Sequence, residues 1–60
     1  MKYIFNVTRW DNWLCTEVHD KITIESDSFI DGWEKAFKKA LSEYGTDLEG
    51  IEFLKAVIPL

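Results

Sequence analysis

The sequence predicts an α+β fold: a ββαβ chain whose three-stranded, mainly antiparallel sheet, in the order 2-1-3, carries one amphipathic helix on one face. Three observations predict it. Residues 2–10 and 14–26 alternate apolar with polar side chains, the period of a half-buried strand. Residues 28–44 hold their apolar side chains on one helical stripe, and residues 51–58 form a further apolar run that Pro59 stops. The whole chain, residues 1–60, is expected to make a single small domain.

In the first strand Tyr3, Phe5 and Val7 alternate with Asn6 and Thr8, while Ile4 is an apolar residue on the polar side. Asp11 and Asn12, between Trp10 and Trp13, suit a tight turn because both types tolerate left-handed backbone. In the second strand Leu14, Val18, Ile22 and Ile24 share a face, with Glu17, His19, Lys21, Thr23 and Glu25 between them. Asp20 falls on the apolar side, so either a bulge or a second turn through His19 and Asp20 would divide the stretch.

The helix start is marked by Ser28 as N-cap and Asp31 as the acid of a capping box. At about 100° per residue, Phe29, Ile30, Trp33, Ala36, Phe37, Ala40, Leu41 and Tyr44 fall within an arc of roughly 140°. Asp31 with Lys35 and Glu34 with Lys38 are spaced for ion pairs one turn apart. Gly32 weakens the first turn by about 1 kcal/mol relative to alanine, and Gly45 provides a C-terminal cap. Residues 46–50 form the loop into the last strand. Because the helix is a crossover, the second and last strands run parallel to one another. Placing the last strand on the far side of the first makes both junctions antiparallel and puts residues 3–7 at the sheet centre.

Met1-Lys2-Tyr3 opening a strand, with Ile22-Thr23-Ile24-Glu25-Ser26-Asp27-Ser28 running into a helix that carries Glu34-Lys35-Ala36, resembles the small phage and plasmid proteins of the DpnD/PcfM-like kind. The resemblance covers about the first two thirds of the chain and rests on residues that build the fold. The stretch 10–20 and the apolar last strand depart from that pattern. What the resemblance implies is a phage or mobile-element setting rather than an activity.

Cys15 is the lone cysteine and His19 the lone histidine, which leaves no intrachain disulfide and no Cys/His set for a structural zinc. A reduced, cytoplasmic protein without cofactor or metal is expected. No apolar run approaches the roughly 20 residues of a membrane span, and no signal-peptide pattern follows Met1. The net charge of −4, from eleven carboxylates against seven Lys and Arg, disfavours nucleic acid and anionic membrane as partners.

For catalysis, the available nucleophile and base are Cys15 and His19, four positions apart, hence roughly 13 Å on a straight strand. The three glycines stand apart and form no phosphate loop, so a non-enzyme is expected. A hairpin with Arg9, Trp10, Trp13 and Lys21 could stack single-stranded nucleic acid or a ligand, the second choice of function. An acidic surface of Glu25, Asp27 and Asp31 with Asp47, Glu49 and Glu52 could instead mimic nucleic acid toward a host protein, although carboxylates that solubilise a small domain are the commoner reason for such residues.

The leading expectation is a protein-binding domain that self-associates. With Tyr3, Phe5, Val7, Val18, Ile22, Ile24, Ile51, Phe53, Val57 and the helical stripe inside, Ile4, Trp10, Trp13, Leu54, Ala56, Ile58 and Leu60 are left for an interface. Hiding about 600 Å² of such surface is worth on the order of 15 kcal/mol before association costs. A twofold homodimer through the uncovered sheet face or the edge of the last strand is therefore expected, with a host protein as a further partner.

Overall fold

The computed structural model describes residues 1–58. Its elements are β1 (Lys2–Asp11), β2 (Thr16–Glu25), α1 (Phe29–Tyr44), a 3-10 turn (Gly45–Asp47) and β3 (Leu48–Val57). The sheet order is β2-β1-β3, and β1 is antiparallel to both neighbours. The expected ββαβ fold, with β1 central, is the observed one.

β1 and β2 pair without interruption from Lys2 opposite Glu25 to Asp11 opposite Thr16. Their connection is longer than a two-residue turn and comprises residues 12–15. Asp11 Oδ1 accepts from the backbone N–H groups of Trp13 at 2.8 Å and Leu14 at 3.0 Å, closing the turn from its first residue. The left-handed position is Cys15, at φ 53°, rather than Asp11 or Asn12. Leu14, expected on the inner face of the second strand, therefore lies in the turn and is exposed.

Asp20 neither bulges the strand nor ends it. It pairs with Val7 in an unbroken ladder, so its side chain is on the helix side with Ile22 and Ile24. β3 starts at Leu48, earlier than expected, because the chain re-enters the sheet straight after the 3-10 turn.

β3 carries the larger departure. Thr8 opposes Gly50 while Arg9 opposes Leu48, and Ile4 opposes Lys55 while Phe5 opposes Phe53. Glu49 and Leu54 are thus the extra residues of two bulges, and each bulge reverses the alternation beyond it. Ala56, expected outside, lies opposite Tyr3 on the helix side; Val57, expected inside, lies opposite Lys2 on the outer face.

The core is thin. Phe5 and Val7 are fully buried, with Tyr3, Ile22, Ala36 and Ala40 around them and Ile24, Ile51, Leu48 and Tyr44 half-buried at the margin. Helix α1 meets the sheet through Gly32, Ala36 and Ala40, one small residue per turn. Small side chains there let the helix backbone come close. A Cβ added at Gly32 would sit 2.9 Å from Tyr3 Cδ2, which is why glycine occupies a helical position that would otherwise favour alanine.

Candidate functional site

The helix is fixed at both ends. Ser28 Oγ accepts from the N–H of Asp31 at 3.2 Å, as a cap should. The reciprocal half of the capping box runs through a neighbour: Ser28 N–H donates to Ser26 Oγ at 3.4 Å, and the Ser26 hydroxyl donates to Asp31 Oδ2 at 2.6 Å. The Ser26 hydroxyl, then Lys35 at 3.0 Å, hold the Asp31 carboxyl below the usual carboxylate range. Gly45, at φ 54°, closes the other end by donating its N–H to Leu41 O.

So anchored, α1 presents its small stripe to the sheet and turns much of its large apolar arc outward. The buried positions 32, 36 and 40 centre near one edge of that arc, about 100° from Phe37 and about 120° from Ile30. Ile30 is consequently 79% exposed, Phe37 45% and Leu41 44%, while Phe29, in line with the stripe but on the first turn of the helix, is 44% exposed. Phe53 of β3 packs edge-on to Phe29, with ring centroids 4.8 Å apart, and Trp33 leans on Phe5 at 5.3 Å. Phe5 in turn meets Phe53 at 5.7 Å. The result is an aromatic ridge, rooted in the core through Phe5, whose outer parts face solvent.

This ridge differs from the expected interface, which placed these helix residues inside. The sequence signal for it was the spacing of Gly32, Ala36 and Ala40, since a small stripe on one side of an apolar arc displaces the bulky residues sideways. Of the residues assigned to an interface, Leu54 stands in a β3 bulge and is 41% exposed. Ile58 lies just past the strand and is exposed, Ala56 is on the helix side, and Leu60 lies outside the described residues. Ile4 and Trp10 share the outer sheet face but stand apart among polar neighbours, Ile4 between Thr23 and Lys55 and Trp10 beside Glu17. Trp13, 92% exposed, is in the turn.

The outer sheet face is therefore mostly polar. Lys2, Asn6, Thr8, Glu17, His19, Lys21, Thr23, Glu25, Glu52 and Lys55 lie on it, and Thr8 Oγ1 is hydrogen-bonded to His19 Nδ1 at 3.0 Å. Cys15, with Sγ 3.4 Å from Asn12 O, is in the turn and away from that pair.

Arg9 is on the helix side, opposite in face to Trp10 and Lys21, so the proposed hairpin platform is divided between two faces. Arg9 Nε donates to Asp20 Oδ2 at 2.6 Å, the Tyr44 hydroxyl donates to the same oxygen at 3.1 Å, and the guanidinium lies over the Tyr44 ring at 5.0 Å. The Arg9 bond, with Tyr44 assisting, holds the Asp20 carboxyl below its ordinary range. Burial and the acceptor Asp20 push the Tyr44 phenol up. Asp11 is lowered chiefly by the N–H of Leu14, then by Trp13 and Arg9.

The acidic residues separate into two groups. Glu25, Asp27 and Asp31 lie where β2 meets the helix, whereas Asp47 and Glu49 lie at the turn end, with Asp47 3.4 Å from Asn12 Nδ2. The length of β1 between those ends is roughly 30 Å. Glu52 sits between them, opposite Asn6 on the outer face. Among the described residues no group of three or more His, Cys, Asp or Glu side chains is placed to hold a metal ion, and no helix is long and apolar enough to cross a membrane.

Fold and ridge together define a small ββαβ domain with a solvent-facing aromatic surface. Comparison with known protein families, with curated proteins and with solved structures finds no match to this chain.

Proposed function

We propose that this chain is a non-catalytic protein-binding domain that works as a homodimer in the cytoplasm. In the mobile-element setting implied by its resemblance to the DpnD/PcfM-like proteins, it modulates or inhibits a host protein. The observation that carries the reading is the ridge of Phe29, Ile30, Trp33, Phe37 and Leu41 with Phe53, an apolar surface at the upper end of what a monomer leaves in water, on a domain with a small core. The non-catalytic part is supported by the distance in the fold between Cys15 in the turn and His19 on the outer sheet face, where its ring pairs with Thr8. The alternative, a nucleic-acid- or ligand-binding hairpin through Trp10 and Trp13, loses support because Arg9 is engaged with Asp20 on the other face.

The test is capture of a protein partner by the tagged chain from a host lysate, beside the Ile30→Asp variant. A stoichiometric partner recovered by the parent is the expected result, and its loss in the variant is expected where binding depends on the dimer that the ridge forms. A chain that recovers no protein and runs as a 7.1 kDa monomer overturns the reading.

A further inference from the structure

We infer that the occupant of the aromatic ridge is a second copy of this chain, docked with its helix α1 antiparallel across a twofold axis. This rests on the homodimer reading above and names the surface and geometry that carry it. Three features of the fold point there.

Area comes first. At 150–250 Å² for a buried aromatic side chain, the exposed fractions of Phe29, Trp33, Phe37 and Phe53, with Ile30 and Leu41 between them, leave roughly 600 Å² of apolar surface in view. That is the upper end of what a monomer carries and most of the ~800 Å² that each partner gives to a stable interface.

The alternatives are poorer. The outer sheet face is studded with lysines and carboxylates, and the β3 edge is broken by the bulges at Glu49 and Leu54, which interrupt the ladder a partner strand would need.

Charge fixes the direction. The ridge positions 29, 33, 37 and 41 centre on residue 35, so a twofold axis there lays Trp33 on the partner's Phe37 and Phe29 on the partner's Leu41. Glu34 and Lys38 border the ridge on its solvent side and pair with each other at 3.4 Å. In an antiparallel crossing Glu34 comes alongside the partner's Lys38, and Lys38 alongside the partner's Glu34. A parallel twofold pair would turn this flank toward the partner's opposite flank and leave Glu34 and Lys38 without that cross-pairing. The antiparallel arrangement also aligns the helix dipoles favourably.

The experiment uses light scattering on the full chain at micromolar concentration, with three sets of variants. The parent is expected at twice 7.1 kDa. Ile30→Asp, at a position 79% exposed, is expected to stay folded by circular dichroism and to weaken association on the order of 100-fold. Glu34→Lys and Lys38→Glu chains are each expected to dimerise poorly alone. When mixed, they should form the mixed dimer in excess of the half that random exchange gives. Lys39→Glu mixed with Glu43→Lys, both off the ridge, should show no such excess.

In a Trp10→Phe/Trp13→Phe background Trp33 is the remaining tryptophan, and its emission should shift to the red on dilution as the dimer parts. That measurement decides the matter should Ile30→Asp fail to fold. A dimer indifferent to Ile30→Asp, whose Trp33 emission does not change on dilution, overturns the ridge geometry and leaves the homodimer standing on another face. A folded monomer at every concentration overturns the inference and the homodimer together, and leaves the capture experiment to judge protein binding.

Discussion

Asp20 holds a carboxylate on the face that otherwise buries Ile22, and Arg9 and Tyr44 make that tolerable by meeting it there. Asp20→Ala should lower the denaturant midpoint, since Arg9 would lose its 2.6 Å partner and keep only Asp11 at 3.4 Å; Asp20→Asn, which retains an acceptor, should lower it less. The same groups set the response to acid. Asp20, Asp11 and Asp31 stay ionised in the folded chain to lower pH than in the unfolded one, so the unfolded chain takes up protons first. Their contribution is whole above the ordinary carboxylate pKa of about 4 and is lost as pH falls through their depressed values. Acid titration followed by circular dichroism should show this fall, and it should be shallower in Asp20→Asn. Gly32 is the other residue with a large expected effect. Gly32→Ala gains about 1 kcal/mol of helix propensity, yet it presses on the buried Tyr3 ring, and overpacking of about 1–3 kcal/mol should leave a net loss in urea denaturation.

At the scale of elements, the strands β1 and β2, the cap Ser28, the stop Gly45 and both ion pairs of α1 were legible because each rests on local chemistry that repeats at a fixed period. Asp20 was ambiguous for a physical reason: an inward polar residue reads as a break until the cation that satisfies it is known, and Arg9 is eleven residues away. The β3 bulges were hidden by composition. Phe53-Leu54 and Ala56-Val57-Ile58 are apolar at neighbouring positions, so the run accepts either parity, and only pairing with β1 reveals that Glu49 and Leu54 are supernumerary. The ridge was misplaced because the apolar arc of α1 was treated as one surface, whereas the stripe of Gly32, Ala36 and Ala40 shows which edge of it reaches the sheet. A direct test of the helix anchoring is Ser28→Ala, expected to cost about 1 kcal/mol in chemical denaturation.

For the molecule as a whole, a core centred on Phe5 and Val7 is little for sixty residues, and a lone cysteine cannot supplement it with an intrachain disulfide, whereas the proposed homodimer would add burial. A dimer that unfolds to separate chains gains stability with concentration, so a tenfold increase should raise the thermal midpoint by about 3–6 °C; a monomer would show no shift. The measurement is a series of melts across two decades of protein concentration, repeated with Ile30→Asp, for which the dependence should vanish at the lower end.

The central position of β1 has a consequence for how the chain is made. β1 is synthesised before β2 and β3, yet one of its two flanks is covered by β3, whose last residue, Val57, is synthesised 46 positions after Asp11 closes β1. At 5–20 residues per second that interval is about 2–9 s. Until β3 is made, one side of β1 has no partner, and a row of unpaired peptide groups lies beside Phe5 and Val7. A chain truncated before Leu48 would therefore carry an adhesive strand at what should become its centre, and pairing of the ten-residue β3 is the step that converts a sticky intermediate into the finished sheet.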